Sequence, residues 1–532
     1  MHPNREMQVL VVSPPNSNTV LDGATCTVTK PEEHTDWSDF PNLGILTLAS
    51  AIRDVPGVRP VYLDATVMPW DEVLAYLEEH AAQVLALCIS ALTATYEAGL
   101  DLCAAAKRID SRIITIVGND HMTALSHECM SRRAGVIDYG FVGNEVIGSF
   151  TALISALRRG ESVRPERYPG LATRADGRVA IQPQATEPIF TALDYSLLDA
   201  AFDHTSRYDL NFRKRVVPTF ARLTGRQVRA GMPVEIGRGC IKFARNDACS
   251  FCSIQFGGMW RNAVPDAAAA WHLLHTAYSE NYDYLYLTAD ELPLTFGRLL
   301  REMLDSPPRW WRDLADDERP VLVGYARADG LSDERHTTML RSLGVRQLMV
   351  GLDAGTAASL HAMNKPLTPV RDRDSAFRAE KMFDHNVRAL RAAGNAGLLL
   401  KVGFVVGHLG MNEHLLQENV DSMKALLDSG AGAIASLDVE VLSPEPGSAD
   451  FTMLLDPARA RTRGEELGLP LPEMRLHERH ARKWRGMDVI DREQAMADYV
   501  ESVMPGLTLN DLAQARNEVR KYGESIGLTI GG

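Results

Sequence analysis

The chain of 532 residues has few long apolar runs, no excess of positive charge and little cysteine. Its longest uncharged stretch, Ala81 to Tyr96, has 16 residues and contains Gln83, Ser90, Thr93 and Thr95, whereas a bilayer-spanning helix needs about 20 mostly apolar residues. No membrane association is expected. Lys and Arg number 56 against 69 Asp and Glu, a formal net charge of −13, which argues against a broad phosphate-binding surface and so against nucleic acid as a partner. The seven cysteines, an odd number, are too few and scattered for a disulfide framework; in a reducing compartment a close group among them points to metal or redox chemistry. Met7–Val12 is too short for a signal-peptide core and runs directly into Ser13-Pro14-Pro15. The expected location is the cytoplasm.

The composition, 45% apolar and 23% charged with only 7% aromatic residues, is that of a globular protein, and the length is about 3.5 typical domains. From residue 7 to about 160, β-rich runs (7–12, 60–63, 84–89, 113–118, 139–143) alternate with helical patterns near 43–54, 70–80, 96–109, 122–132 and 146–159. Five βα units in succession imply a parallel sheet with a ligand crevice at the carboxyl ends of its strands. Residues 161–231 are less regular and read as a linker with an Asp176-Gly177 hairpin signal. Alternation resumes with strands expected at 234–239, 284–288, 321–325, 347–352, 398–407 and 433–442, and helices at 266–279, 295–305, 332–343, 374–394 and 413–429. That pattern fits a partial (β/α) barrel over 232–455, which also carries its chemistry at strand carboxyl ends. Residues 456–532 are polar and mostly helical. Within them, His477 and His480 could share a helix face, but without a third ligand they read as a solvated face.

The first strand of the second half ends in Gly237-Arg238-Gly239-Cys240, and Cys249-Ser250-Phe251-Cys252 follows eight residues later. Three thiolates at one strand end suit zinc or an iron–sulfur cluster, yet a closed zinc site wants four ligands. No fourth Cys and no His lies between Met232 and Trp271. Three ligands would leave one iron open to a small molecule; a zinc knuckle completed by a distant His is the alternative.

This pattern resembles the radical S-adenosylmethionine (SAM) superfamily, whose Cys-x3-Cys-x-aromatic-Cys loop holds a [4Fe–4S] cluster. Phe251 takes the aromatic place, and the first gap is eight residues rather than three. By the same resemblance Cys240, Cys249 and Cys252 are the metal ligands, Asp290 and Glu291 in Thr288-Ala-Asp-Glu291 meet the SAM amino group, Arg327 takes an arginine position, and Asp353 in Gly351-Leu-Asp353 faces the ribose. The fold implied is an α/β one: a Rossmann-like domain, a partial (β/α)6 barrel of the TIM type and a helical C-terminal segment.

Residues 1–160 resemble the cobalamin-binding domain joined to one branch of that superfamily. Matching positions are Pro15; Leu43 and Gly44; Thr93, Thr95 and Tyr96; Gly118, Asn119, Asp120, His121 and Thr123; and Gly143, Asn144 and Glu145. Asn119 and Asn144 stand where the family has glycines, so each must adopt an unusual backbone or hold the corrin differently. The Asp-x-His-x-x-Gly string that supplies a histidine to cobalt does not occur, so methylcobalamin is expected with no histidine axial ligand.

The resemblance implies a cobalamin-dependent radical SAM methyltransferase. It would cleave SAM to a 5′-deoxyadenosyl radical and carry a methyl group from methylcobalamin to an unactivated carbon, with a second SAM restoring the cobalamin. An aromatic or pyrrole acceptor would need a base, for which Asp290 and Glu291 are the candidates. Implied partners are a small-molecule substrate, carrier- or nucleotide-linked or free, of the kind made in antibiotic pathways, and an electron donor such as flavodoxin. The rival readings are a cobalamin-dependent radical SAM enzyme that performs a rearrangement or ring closure, and a cobalamin-sensing module without catalysis.

Overall fold

Continuous apolar runs bounded by turn residues give strands buried on both faces, the mark of a parallel sheet covered by helices. The computed structural model describes residues 6–16, 20–22, 25–27, 38–186, 189–242, 247–254, 261–367, 375–430 and 432–531. In its first half β1 (Met7–Ser13), β2 (Val58–Asp64), β3 (Val84–Ser90), β4 (Ile114–Gly118) and β5 (Tyr139–Phe141) pair in parallel in the order β2-β1-β3-β4-β5. The order reverses beside β1, which opens a crevice between the carboxyl ends of β1 and β3. Asn42 starts the first helix, Leu43–Ile52, by accepting from the backbone N–H groups of Gly44 and Ile45, so the chain turns at the crevice rim.

The expected linker is itself folded. β6 (Leu171–Ala175) and β7 (Arg178–Ile181) extend the sheet antiparallel, joined at Asp176 and Gly177, whose φ values of 52° and 74° make the left-handed pair a tight hairpin requires. Helix His204–Arg215 then docks on the end of β2: Tyr208 donates to the buried Asp64 carboxylate at 2.5 Å, and the Asp64 N–H donates to His204 Nε2 at 3.1 Å. The segment reads as irregular because its helices are short and polar, while what fixes them lies about 140 residues away in sequence.

The second half is an all-parallel sheet in sequential order: β8 (Gly231–Val234), β9 (Tyr284–Leu287), β10 (Val321–Arg327), β11 (Val345–Asp353), β12 (Leu399–Val406), β13 (Ile434–Val441) and a short β14 (Thr529–Ile530). The six main strands form a partial barrel; among the described residues the sheet runs from β8 to β14 without closing on itself. β8 ends earlier than the expected 234–239, and Gly237–Arg238 instead pairs antiparallel with Arg261–Asn262. Gly237 lies under Phe296, where a Cβ would come within 2.2 Å of the ring, so only glycine lets the chain leave the sheet there.

The inner face of this sheet is accessible. Along β12, Lys401, Gly403 and Val405 are half-buried while Leu400, Val402 and Phe404 are buried, and Tyr325 in the middle of β10 is 39% exposed. The C-terminal helices pack against the outside, the last of them, Leu509–Ser525, on β13 and on helix Glu413–Ser429. His477 and His480 are buried, which corrects the solvated-face reading. His477 Nε2 lies 2.9 Å from the Met453 carbonyl, and His480 sits between Asp498 at 3.2 Å and Glu501 at 3.1 Å, because helix Met474–Trp484 turns that face onto its neighbours. No described helix is long and apolar enough to cross a membrane.

Candidate functional site

Cys240 stands just beyond Gly239, whose φ of +85° turns the chain and whose N–H donates to Asp290 at 2.7 Å. Ile241 N–H donates to Thr295 Oγ1 at 3.2 Å, and the buried Lys242 ammonium reaches the Pro366 carbonyl at 2.7 Å, so the chain is anchored as it enters the loop. On its far side Ser250 N–H donates to the Met363 carbonyl at 2.9 Å, and a turn closes from Cys252 N–H to the Cys249 carbonyl at 3.1 Å. Residues 243–246 of the long gap lie outside the described residues. Burial pushes the Cys240 thiol up to about 11 and the Cys252 thiol up to about 12, so binding of a metal must displace their protons. Among the described residues, no three His, Cys, Asp or Glu side chains already stand in metal-binding geometry. The donor set is three thiols on one loop, which matches a cluster with one open iron and falls one ligand short of a closed zinc site.

A cavity of about 440 Å³ opens beside this loop, and its walls come from both halves of the chain. From the first half, Leu43, Gly44, Gly118, Asn119, Asp120, Gly143 and Asn144 line it. Its inner part is apolar, with Val11, Cys88, Ile116, Phe141 and Phe150. A Cβ at Gly118 would meet nothing closer than Phe141 at 3.7 Å and would occupy cavity space. Asn119 adopts φ 80°, the left-handed backbone its replacement of glycine requires, while Asn144 leaves that conformation to Gly143 at φ 92°. From the second half come Glu235, Gly237, Arg238, Ile254, Tyr286, Thr288, Ala289 and Asp290. Glu145 lines a smaller neighbouring cavity of about 210 Å³.

Other expected contacts are placed elsewhere. Pro15, Thr95 and Tyr96 are buried away from the cavity. His121 is buried with both ring nitrogens engaged, Nε2 with the Asp488 carbonyl at 2.8 Å and Nδ1 with Thr93 Oγ1 at 3.2 Å, and Tyr96 stacks on its ring at 4.1 Å. This corrects the placing of His121 and Thr93 as corrin contacts: the C-terminal region holds His121, and His121 in turn holds Thr93. Thr123 accepts from Gly143 N–H at 3.0 Å and so braces a cavity residue from behind. Phe251 is half-buried against the core.

Asp290 and Glu291, adjacent in sequence, separate in role. Asp290 faces the cavity, and burial raises its pKa. Glu291 is fully buried away from it, accepting from Leu294 N–H at 3.0 Å, Thr295 N–H at 2.6 Å and Thr295 Oγ1 at 2.8 Å; it caps a turn and is removed from the catalytic candidates. Asp120 reaches the same cavity from the first half, and burial, with the nearby Asp290 charge, pushes it up to about 6. Arg327 makes a bidentate pair with Asp329 at 3.0 and 2.9 Å and donates to the Lys365 carbonyl at 2.9 Å. Asp353 ends β11 at φ 61° with its carboxylate ion-paired to Lys365 rather than free for a ribose. Arg238, Tyr286 and Tyr325 join the candidate site only through the fold. Arg238 had a signal in its place two residues before Cys240, whereas the two tyrosines, with rings 5.8 Å apart on neighbouring strands, had none.

A flavodoxin-ordered sheet joined to a partial barrel gives the chain the fold of cobalamin-dependent radical SAM enzymes. Residues 36–146 match the family described as the B12 binding domain. Among solved structures the chain is similar to the radical SAM methyltransferase TsrM from Kitasatospora setae with cobalamin and [4Fe-4S] cluster bound, at 16% identity and TM-score 0.60 over 85% of this chain and 75% of that one. A second structure of TsrM, with tryptophan substrate and a SAM analogue bound, matches at 15% identity and TM-score 0.56, over 84% of this chain and 76% of that one. The cobalamin-dependent SAM radical enzyme OxsB with aqua-cobalamin and SAM bound is similar at 14% identity and TM-score 0.54, over 99% of this chain and 62% of that one. No curated protein matches the chain by sequence.

Proposed function

We propose that the chain is a cobalamin-dependent radical SAM C-methyltransferase acting on a small molecule. The observation that carries this reading is a cavity walled by residues at the carboxyl ends of both sheets and by Arg238 and Ile254, which flank the three cysteines in sequence. Cys240, Cys249 and Cys252 would hold the cluster, and Gly118, Asn119, Gly143 and Asn144 would receive the edge of a corrin. Bound there, the cluster with SAM supplies one-electron radical initiation and the cobalamin supplies a transferable methyl group.

The chain's own residues position and shield. Asp290 fixes the cysteine loop through Gly239 N–H, which places that loop on the same wall as Thr288 and Ala289. The apolar inner wall offers water few hydrogen-bond partners there. An sp2 acceptor carbon must lose a proton; of the carboxylates lining the cavity Glu235 is held by Arg238, and Asp120 and Asp290 are the candidates to take it. Tyr286 and Tyr325, whose rings meet edge to face with Tyr325 partly exposed, offer aromatic contact to an aromatic acceptor, the class to which the tryptophan of one TsrM structure belongs. Natural-product biosynthesis and a flavodoxin-like electron donor complete the proposal.

The test is anaerobic turnover of reconstituted protein with SAM, cobalamin and a chemical reductant, with both SAM-derived products measured. A methyltransferase forms S-adenosylhomocysteine as the cobalamin is methylated, besides 5′-deoxyadenosine. Formation of 5′-deoxyadenosine alone would favour the rearrangement reading, and formation of neither would sink both.

A further inference from the structure

Arg238, two residues before Cys240, bridges the halves of the molecule. Its Nη1 donates to the Asn144 carbonyl at 2.8 Å and to Glu145 Oε1 at 3.1 Å, while Nη2 donates to Glu235 Oε2 at 2.9 Å. Asn144 lines the main cavity, and the side chain of Glu145 next to it is only 5% exposed. The next residue is held from the opposite side, by the bond from Gly239 N–H to Asp290. The chain entering the cysteine loop is therefore tied at consecutive residues to the first half and to the end of β9.

A planar guanidinium can hold a carbonyl and two carboxylates at once, which a single ammonium on a flexible stem cannot do with the same geometry. Moving the Gly143–Glu145 loop must then move Arg238 and the chain that leads from it to Cys240. We infer that Arg238 is a positioning residue that couples the two cofactor loops, so that assembly of the cluster strengthens cobalamin binding. The inference rests on the two-cofactor reading above.

The experiment titrates the full-length chain with hydroxocobalamin, before and after cluster reconstitution, and compares the two dissociation constants. Coupling between sites commonly amounts to about 5-fold or more and is reciprocal. Reconstitution should therefore tighten cobalamin binding at least about 5-fold in the unmodified chain and less than about 2-fold in Arg238→Ala. Arg238→Lys should recover only a part. Glu145→Gln, which leaves the bond to the Asn144 carbonyl in place, should be intermediate and serves if Arg238→Ala does not fold. A merely structural role would weaken binding equally with and without the cluster. The same ratio in Arg238→Ala as in the unmodified chain, or no tightening in the unmodified chain, would overturn the inference alone. Failure of the unmodified chain to bind cobalamin would overturn the two-cofactor reading, and the inference with it.

Discussion

His121 has a partner on each ring nitrogen and sits in a buried pocket, and burial lowers its pKa to about 4 from the ordinary 6.5. A histidine depressed in this way contributes stability above pH 6.5 and loses it as the pH falls toward 4. His121→Ala should destabilise the protein by about 1–3 kcal/mol at pH 7.5 in urea unfolding, with the difference shrinking on acidification to pH 5. Asp120 has the opposite sign. Its raised pKa of about 6 means that ionisation above that pH costs stability, so Asp120→Asn should raise the melting temperature at pH 7.5 and have little effect at pH 4. Glu291→Gln should lower stability in urea unfolding, since an amide nitrogen cannot accept from the Leu294 and Thr295 N–H groups that the carboxylate satisfies. The cysteines and the strand-end glycines were legible because chemistry and backbone geometry demand those residue types. The partner of His121 was not: Asp488 is 367 residues away in sequence, and no local pattern encodes it. Nor could adjacency tell Asp290 from Glu291; that Glu291 caps the turn into Thr295 became visible only with the fold.

At the scale of elements, periodicity located the long pieces well because their apolar faces are continuous. Helix Glu413–Ser429 forms over the expected 413–429, and the five parallel strands of the first sheet lie where the β-rich runs stand. Short elements escaped. β14 has two residues and exists because helix Leu509–Ser525 delivers it to the edge of β13. That helix starts with a capping box in which Thr508 accepts from Asp511 N–H while the Asp511 carboxylate accepts from Thr508 N–H at 2.8 Å. Thr508→Ala should cost about 0.5–2 kcal/mol in denaturant unfolding, with an unchanged slope if the loss is confined to the helix start. The expected strand 234–239 shortened because Gly237 packs beneath Phe296, a tertiary contact that overrides the local β pattern.

Across the whole molecule, the C-terminal region grips the first half at the end of helix Ser126–Arg132. Asp488 pairs with Arg133, while its backbone carbonyl meets His121. The first sheet and the barrel together wall one cavity, and the proposed function requires that this cavity bring two cofactors together. The most direct measurement is iron, sulfide, cobalt and zinc analysis of anaerobically purified, reconstituted protein, beside the Cys240→Ala, Cys249→Ala, Cys252→Ala triple variant. The account predicts about four irons and four sulfides with one cobalt per chain, and a triple variant that loses the iron while keeping the cobalt. Zinc held by the three cysteines, with no cobalt bound, would contradict it.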